Sequence, residues 1–311
     1  MSLLKKIKNR LLQVSNKSDV NNLKILAAQM LVRENKNEIF LNIQDAEFRV
    51  FSQWGEDGII QYLINKLPIK NKVFIEFGVE DYTEANTRFL LENDNWSGLV
   101  MDGSTININK IKNDQIYWKY DLSVKDIFIT KNNIDFIIDN YIKENNFNKE
   151  IGLLSVDIDG NDYYIWDAIN SIDPVIVVCE YNSIFGNVYS YTVPYDDSFV
   201  RTQKHYSNLY FGASIQAFCM LAKSKGYEFI GVNKNCVNAF FVKTEYANKY
   251  IPNLITKVAK NMEVSKFRES RGKNGNLTFL QGVARIDLIK SMPIINLENN
   301  KTLSISELLK R

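Results

Sequence analysis

The chain has 311 residues, which is enough for one large domain with additions or for two small domains. Its 38 basic and 36 acidic residues leave a net charge of +2, and this balance gives no reason to expect a nucleic-acid partner. The three cysteines are widely spaced and form no CxxC pair, which disfavours a zinc knuckle or a disulfide framework and favours reduced thiols in a cytoplasm.

Residues 1–45 predict a helical N-terminal extension, because they contain neither glycine nor proline and begin with apolar residues at helical spacing. This start is basic and amphipathic, but it lacks the long apolar core and the cleavage site of a secretory signal. No apolar run in the chain approaches the roughly 18–20 residues that a membrane span requires. A helix packed on the domain or on a partner chain, such as a second copy in a homo-oligomer, is favoured over a membrane-surface helix.

From residue 46 to residue 245 the pattern predicts strands that alternate with helices, followed by a C-terminal extension at 246–311. The strands are short apolar runs, and the helices show a period of about 3.6 residues. In chain order the prediction is a strand at 72–79, a helix at 83–94, a strand at 97–104, a helix at 124–145, a strand at 151–159, a helix at 164–170, a strand at 174–182, a helix at 214–226, and a closing hairpin at 227–234 and 238–244.

This alternation indicates an α/β fold in which a mostly parallel sheet carries helices on both faces. The apolar runs are continuous, as expected for strands buried on both sides. Ligands of such sheets bind beyond the carboxyl ends of the strands, so residues at these ends are site candidates. The predicted strands end in Glu76 and Gly78, in Asp102, in Asp157 and Asp159, and in Glu180 and Asn182.

The first two strands predict a nucleoside-type ligand. Gly78 would let the backbone approach a ligand closely, but the GxGxxG glycines are missing, so a pyrophosphate cradle is disfavoured. Asp102 follows at a spacing that suits a ribose-binding acid, with a helix cap or turn as the alternative. Asp121 could accept from an adenine amino group or cap a helix. Gln53, in the stretch FSQWGEDGII, could hold an amino-acid moiety, with a capped helix start as the alternative.

The stretches VDIDGND and CEYNS predict a cluster of oxygen ligands at two adjacent strand ends. Carboxylates and an amide oxygen from Asp157, Glu180 and Asn182 suit a hard divalent cation such as Mg²⁺ or Mn²⁺. The alternative is a solvated acidic rim around a cationic ligand. The only histidine, His205, lies in a long polar segment at 199–214 and is read as a base, a metal ligand or a surface residue. Residues 183–212 are expected to form a lid or a substrate-facing loop.

The motifs SQWGEDGII, FIEFGVE, VMDGS, SVDIDGNDYYIWDAI and VVCEYN occur in this order over about residues 46–245. Together they resemble the FkbM-like branch of class I methyltransferases that depend on S-adenosylmethionine (SAM). The resemblance implies a Rossmann-like sheet of seven strands with an antiparallel closing strand, SAM as the methyl donor, and O-methylation, often of sugars. Glu76, Gly78, Asp102 and Asp157 are then the cofactor-binding candidates, together with Gln53 and Asp121.

The residues are also similar to those of metal-dependent sugar O-methyltransferases of antibiotic biosynthesis. That similarity implies Asp157 and Glu180 as metal ligands and Asp159 as the catalytic base. Independently of the similarity, His205 is the next candidate base. The sequence departs from that pattern where Cys179 precedes Glu180, because those enzymes have two adjacent acids there. Either Asn182 replaces the missing ligand, or the metal is absent.

The resulting prediction is a cytoplasmic SAM-dependent O-methyltransferase that acts on a sugar hydroxyl, with a nucleotide-activated sugar for capsule or other surface polysaccharide as the expected substrate. Two alternatives remain at this point. One is a non-catalytic protein that binds SAM or a nucleotide and serves as a partner in a polysaccharide pathway. The other is a nicotinamide-dependent sugar oxidoreductase, which the missing pyrophosphate glycines disfavour.

Overall fold

The structure is a computed structural model that describes residues 3–259, 263–266, 269–282 and 284–308. Its strands are β1 Val73–Phe77, β2 Ser97–Asp102, β3 Leu122–Asp126, β4 Leu153–Val156, β5 Ile176–Glu180, β6 Tyr191–Thr192, β7 Tyr227–Val232, β8 Asn238–Lys243, β9 Pro293–Asn296 and β10 Lys301–Ser304. Its helices are α1 Leu3–Asn35, α2 Glu56–Lys66, α3 Arg88–Asp94, α4 Thr105–Lys112, α5 Gln115–Lys119, α6 Ile134–Glu144, α7 Asp162–Ala168, α8 Arg201–Lys204, α9 Ile215–Ser224, α10 Thr244–Tyr250, α11 Ala284–Leu288 and α12 Ile305–Leu308. Short 3-10 helices lie at Ile43–Ala46, Ser183–Phe185 and Pro252–Leu254.

The main sheet has seven strands in the order β3-β2-β1-β4-β5-β8-β7. Strands β1 to β5 run parallel, while β8 pairs antiparallel with β5 and with β7. Every residue of β1, β4 and β5 is buried, because separate apolar clusters cover the two faces of the sheet. This confirms the predicted Rossmann-like α/β fold with an antiparallel closing strand, and it explains why these strands read as continuous apolar runs.

Two predicted helices differ from the structure. The predicted helix at 124–145 begins ten residues later, at Ile134, and the preceding residues form strand β3. As an edge strand, β3 pairs only with β2, so its residues after Leu122 stay partly exposed and carry no buried apolar signal. Helices α4 and α5 were also not predicted. Helix α3 begins at Arg88 rather than at residue 83, because the backbone before it bonds to a buried carboxylate of β1.

A second, smaller sheet joins the segment 183–212 to the C-terminal extension. It has the order β10-β9-β6, and all its pairings are antiparallel. A separate apolar cluster holds it together, formed by Phe185, Tyr191, Val193, Phe199, Leu209, Tyr210, Phe211, Ile286, Ile289, Ile294 and Ile305. The segment 183–212 is therefore packed on residues near the C-terminus and is not an isolated loop. Its movement as a lid stays a prediction, as do the domain bounds at 45 and 245.

The N-terminal extension is helical, as predicted, over α1. Ala28 packs from this helix against Val50, Phe51 and Phe89, so its C-terminal half is attached to the main domain. Across the described ranges, no helix combines the length and apolar character that a bilayer crossing demands.

Candidate functional site

A cavity of about 320 Å³ lies at the carboxyl ends of β1, β4 and β5, within the size range of small-molecule sites. It brings together most of the predicted site residues, namely Gln53, Glu76, Gly78, Asp157, Asp159, Glu180 and Asn182. The segment 183–212 contributes Ser183, Ile184, Arg201, Leu209 and Phe211, and the C-terminal extension contributes Ser265, Glu269 and Arg285. The carboxyl edge of the sheet is thus covered by two segments that are distant in sequence.

Gly78 is required at the end of β1 because the backbone after β4 passes directly over it. Its φ of +68° is left-handed, and a Cβ placed on it would lie 1.7 Å from the carbonyl oxygen of Asp157. The close approach predicted for a ligand is therefore made by the chain itself. A pyrophosphate cannot occupy the same space, which agrees with the missing glycines of a dinucleotide fingerprint.

Glu76, predicted to bind the cofactor, hydrogen-bonds to the protein. One carboxylate oxygen accepts from the backbone N–H of Thr87 at 3.1 Å and from its hydroxyl at 2.5 Å. The other accepts from the Asn86 N–H at 2.9 Å and lies 3.3 Å from the Ser155 hydroxyl. Burial raises the pKa of Glu76, and these hydrogen bonds oppose that rise. Glu76 thus anchors the turn that leads into α3 and places Asn86 at the cavity.

Gln53 reaches the cavity on a loop that two buried carboxylates hold. One oxygen of Asp57 accepts from the N–H groups of Val50, Phe51 and Ser52 at 2.7–2.8 Å. Glu56 accepts from the N–H groups of Trp54 and Gly55 and from the side chains of Asn233 and Asn238. Burial raises the pKa of Asp57 to about 6. The acids of the motif SQWGED therefore shape this loop, while the side chain of Gln53 stays exposed at the cavity.

The three aspartates after β4 have different surroundings. Asp162 is fully buried and accepts from the N–H groups of Ile158 and Gly160 at 2.7 and 2.9 Å, so it fixes the turn, and burial raises its pKa to about 6. Asp159 has a φ of +57° and a side chain that is 59% exposed. Asp157 is half-buried at the cavity. Only Asp157 and Asp159 therefore present carboxylates to a ligand.

Glu180 is the most unusual group of the cavity. It is 8% exposed, and its Oε2 is a buried atom without a hydrogen-bond partner in the described structure. One carboxylate oxygen each of Asp157, Asp159 and Glu180 lies within 4.8 Å of the others. Burial, followed by the charge of Asp157, raises the pKa of Glu180 well above its usual value, and the pKa of Asp157 is raised in the same way. An unpartnered buried carboxylate is costly and points to a ligand.

Arg201 was not predicted, although it lies in the same polar segment as His205. Its Nη1 donates to Oδ1 of Asp159 at 2.5 Å and lies 3.9 Å from Oε1 of Glu180. Its Nε donates to the Asn208 carbonyl at 2.8 Å, and its guanidinium stacks 3.7 Å from the centre of the Phe211 ring. The cation beside this carboxylate cluster is therefore supplied by the chain.

Asn182 anchors the segment 183–212, which covers the cavity. Its Nδ2 donates to the carbonyls of Leu209 and Phe211 at 3.0 Å each, and its Oδ1 accepts from the Ile184 N–H at 3.3 Å. These contacts do not favour Asn182 as a member of the predicted metal set of Asp157, Glu180 and Asn182, because its amide is oriented by three backbone groups. Metal binding itself stays a prediction. Asp157, Glu180 and Asn182 meet at one place, as predicted, but a guanidinium lies beside them.

Three predicted residues lie outside the residues that line the cavity. Asp102 accepts from the N–H groups of Glu80 and Ser104 at 2.9 and 2.8 Å, so it supports the cavity wall through Glu80. Asp121 precedes β3 and lies at the amino edge of the sheet, opposite the cavity. His205 lies 2.7 Å from the Ser207 hydroxyl through its Nδ1 and packs on Tyr206, and burial lowers its pKa.

Fold and site together define a Rossmann-like α/β protein with an acidic ligand cavity at the carboxyl edge of its sheet. The sequence matches no known family model and no curated protein. Among solved structures it is similar to the N-terminal domain of EvdMO1 in the presence of SAH and D-fucose, with a TM-score of 0.39 and 9% identity over 60% of this chain and 82% of that chain. It is also similar to a SAM-dependent methyltransferase from Clostridium acetobutylicum, with a TM-score of 0.34 and 10% identity over 60% of this chain and 90% of that one. The plantazolicin methyltransferase BamL, in complex with a triazolic desmethylPZN analog and SAH, has a TM-score of 0.34 and 11% identity over 74% of this chain and 91% of its own.

Proposed function

We propose that the protein is a SAM-dependent O-methyltransferase that acts on a hydroxyl of a sugar. The observation that carries this proposal is the buried Oε2 of Glu180, which has no hydrogen-bond partner among the described residues and lies in a cavity at the carboxyl edge of the sheet. Such an oxygen is suited to accept a hydrogen bond from an acceptor hydroxyl and then its proton. Four of the motifs that resemble FkbM-like methyltransferases contribute residues to the same cavity, namely SQWGEDGII, FIEFGVE, SVDIDGNDYYIWDAI and VVCEYN, whereas VMDGS supports the cavity wall from outside through Asp102.

The charge of the cavity supports SAM over a phosphate-bearing cofactor. Around the cavity, the described acidic residues outnumber the described arginines; they are Glu76, Glu80, Glu84, Asp157, Asp159, Glu180 and Glu269, against Arg201 and Arg285. SAM carries a sulfonium and an ammonium against one carboxylate, so its net charge is positive and such walls attract it. The two phosphates of a nicotinamide dinucleotide would be repelled, and the turn at Gly78 offers them no space.

The reaction follows from these positions. The acceptor hydroxyl gives its proton to Glu180, its oxygen bonds to the methyl carbon, and the bond between that carbon and sulfur breaks to leave a neutral thioether. Glu180 is favoured over the predicted base Asp159, because Asp159 is exposed and already binds Arg201. A raised pKa makes Glu180 a stronger base when it is ionised. Holding the hydroxyl in line with the methyl group supplies much of the rate.

A binding protein without catalysis has less support. A binding site has no need for a carboxylate that is buried and unpartnered, since this arrangement lowers stability. We propose a nucleotide-activated sugar of a surface polysaccharide as the acceptor class, with its phosphates outside the carboxylate cluster. Only the sugar would then contact the acidic wall around Glu180.

Two measurements test the function. Isothermal titration should show binding of SAM and none of NAD, and transfer of a labelled methyl group from SAM to sugar nucleotides should identify the acceptor. Glu180→Gln should keep SAM binding and lose about 10²–10⁴-fold in turnover, which is the usual cost of removing a general base. The matched control is Glu84→Gln, which neutralises a more exposed cavity acid that pairs with Arg49. Full turnover of the Glu180→Gln variant, or binding of NAD but not SAM, would contradict the proposal.

A further inference from the structure

Arg201 occupies the place at which a cation would bind the carboxylate cluster of Asp157, Asp159 and Glu180. Its side chain is 15% exposed, although it belongs to the four-residue helix α8 on the cover of the cavity. Three contacts fix its guanidinium: the bond to Asp159, the bond to the Asn208 carbonyl, and the stacking on the Phe211 ring. The charge is thus held in place and does not sample the solvent as a surface arginine would.

A divalent metal and this guanidinium compete for the same oxygens. Mg²⁺ and Mn²⁺ need several oxygens directed at one point, at about 2.0–2.2 Å for the smaller ion. The oxygens of Asp157, Asp159 and Glu180 lie within 4.8 Å of one another, but Asp159 Oδ1 already accepts from Arg201. A metal bound between Asp159 and Glu180 would lie next to a positive charge that its contacts with Phe211 and the Asn208 carbonyl hold in place.

We infer that the carboxylate cluster is built around Arg201, which excludes a divalent metal, and that loss of the guanidinium turns the same carboxylates into a divalent-metal site. Arg201 is then a positioning residue that supplies the cluster with a fixed cation. If the proposed function holds, this charge also lies beside the acceptor oxygen, where a metal-dependent relative would place its ion.

The test is a titration of the protein with Mn²⁺ alone, followed by calorimetry and by the electron paramagnetic resonance of free Mn²⁺. At sub-millimolar concentrations, the wild-type chain should bind no Mn²⁺ at the carboxylate cluster. The Arg201→Met variant should bind one Mn²⁺ at least about tenfold more tightly than the wild-type chain does, because a positive charge at ion-pair distance from the carboxylate cluster is removed. Mn²⁺ should also raise the melting temperature of this variant and leave that of the wild-type chain unchanged.

The matched control is Lys204→Met, which removes a positive charge from the same helix. Lys204 pairs with Asp196 and not with the cluster, so this variant should gain no metal site. In Arg201→Met, a further Glu180→Gln change should abolish the gained site. If Arg201→Met does not fold, Arg201→Gln provides the same test with an amide that can still donate to the Asn208 carbonyl.

Two results would overturn the inference. One is a wild-type chain that binds a single Mn²⁺ at micromolar concentration and loses it in both Asp157→Asn and Glu180→Gln. The other is a folded Arg201→Met or Arg201→Gln variant that gains no metal binding. Neither measurement involves SAM or an acceptor, so failure of this inference and failure of the proposed methyl transfer are separate outcomes.

Discussion

Glu180→Gln should stabilise the folded protein in the same change that removes its proposed base. In the structure Glu180 is buried, its Oε2 has no partner, and two other carboxylates lie within 4.8 Å. A glutamine amide has nearly the same shape, carries no charge and can donate to the neighbouring carboxylates. The free energy of unfolding should therefore rise, which is the opposite of what most buried substitutions do.

The size of this effect follows from the competing charges. At an effective dielectric constant of about 20, an ionised carboxylate within 4.8 Å costs an ionised Glu180 at least about 3.5 kcal/mol. Arg201 at 3.9 Å returns about 4 kcal/mol on the same scale, so these two contributions nearly cancel. The exposed Asp159 adds a repulsion that solvent weakens. Burial is then the decisive cost, because it removes the ionised carboxylate of Glu180 from water and so raises its pKa.

The pH dependence gives the sign and the upper limit of the change in the free energy of unfolding that Glu180→Gln causes. Because the folded state raises the pKa of Glu180 from 4.5, ionisation of this carboxylate makes the folded protein less stable. This loss of stability is absent below about pH 4.5 and grows as the pH rises toward the folded pKa. Each pH unit between 4.5 and the folded pKa lowers the free energy of unfolding by about 1.4 kcal/mol. The upper limit of this loss at pH 7 is therefore about 3 kcal/mol. The variant lacks this loss. It should melt at a higher temperature than the wild-type chain at pH 7, by no more than about 5 °C, and at nearly the same temperature at pH 4.

Thermal melts followed by circular dichroism at pH 4 and pH 7 provide the assay, with Glu84→Gln as the control for the loss of a more exposed charge. A Glu180→Gln variant that is less stable than the wild-type chain at pH 7 would refute the reasoning. That result would mean that the carboxylate of Glu180 makes a stabilising contact in the folded protein.

Three further changes test other parts of the site. Gly78→Ala should destabilise the fold severely in thermal melts, because its Cβ would overlap a backbone oxygen at 1.7 Å, whereas Gly186→Ala, with a φ of +80° and no atom within 4 Å, should cost only about 1–2 kcal/mol. Asp57, with a pKa raised to about 6, makes the wild-type chain lose stability between about pH 4 and pH 6. Asp57→Asn should flatten this dependence in urea midpoints, and an unchanged slope would contradict the assignment. Asp102→Ala should weaken SAM binding in calorimetry, because the cavity wall at Glu80 loses the carboxylate that holds its N–H, and an intact variant with an unchanged dissociation constant would exclude a part for this carboxylate.

The main sheet could be predicted because burial on both faces turns its central strands into continuous apolar runs. Strand β3 could not, since only Leu122 of this edge strand is buried and Ser123 and Lys125 interrupt the apolar signal. Its residues then merged with the helical period of α6. Strand β6 is two residues long, and its partner β9 is distant in sequence, so no local sequence pattern predicts the smaller sheet.

At the site, the rule that ligands bind at the carboxyl ends of strands correctly brought Asp157, Asp159 and Glu180 to one place. The sequence could not tell which acids would face a ligand and which would bind backbone N–H groups. Asp162 and Glu76 turned out to do the latter. Arg201 was missed because its segment has no regular period and its carboxylate partners Asp159 and Glu180 come from other parts of the chain.

The cavity has a floor and a cover with separate origins in the chain. The ends of β1, β4 and β5 form the floor, while the segment 183–212 and residues Ser265, Glu269 and Arg285 form the cover around its own small apolar cluster. Evolution could therefore exchange or remodel the cover without disturbing the parallel strands. Related chains could keep one floor and differ in the ligand that the cover admits, and a chimaera that carries a foreign cover would have to receive both of its segments together, since β6 and β9 pair across them.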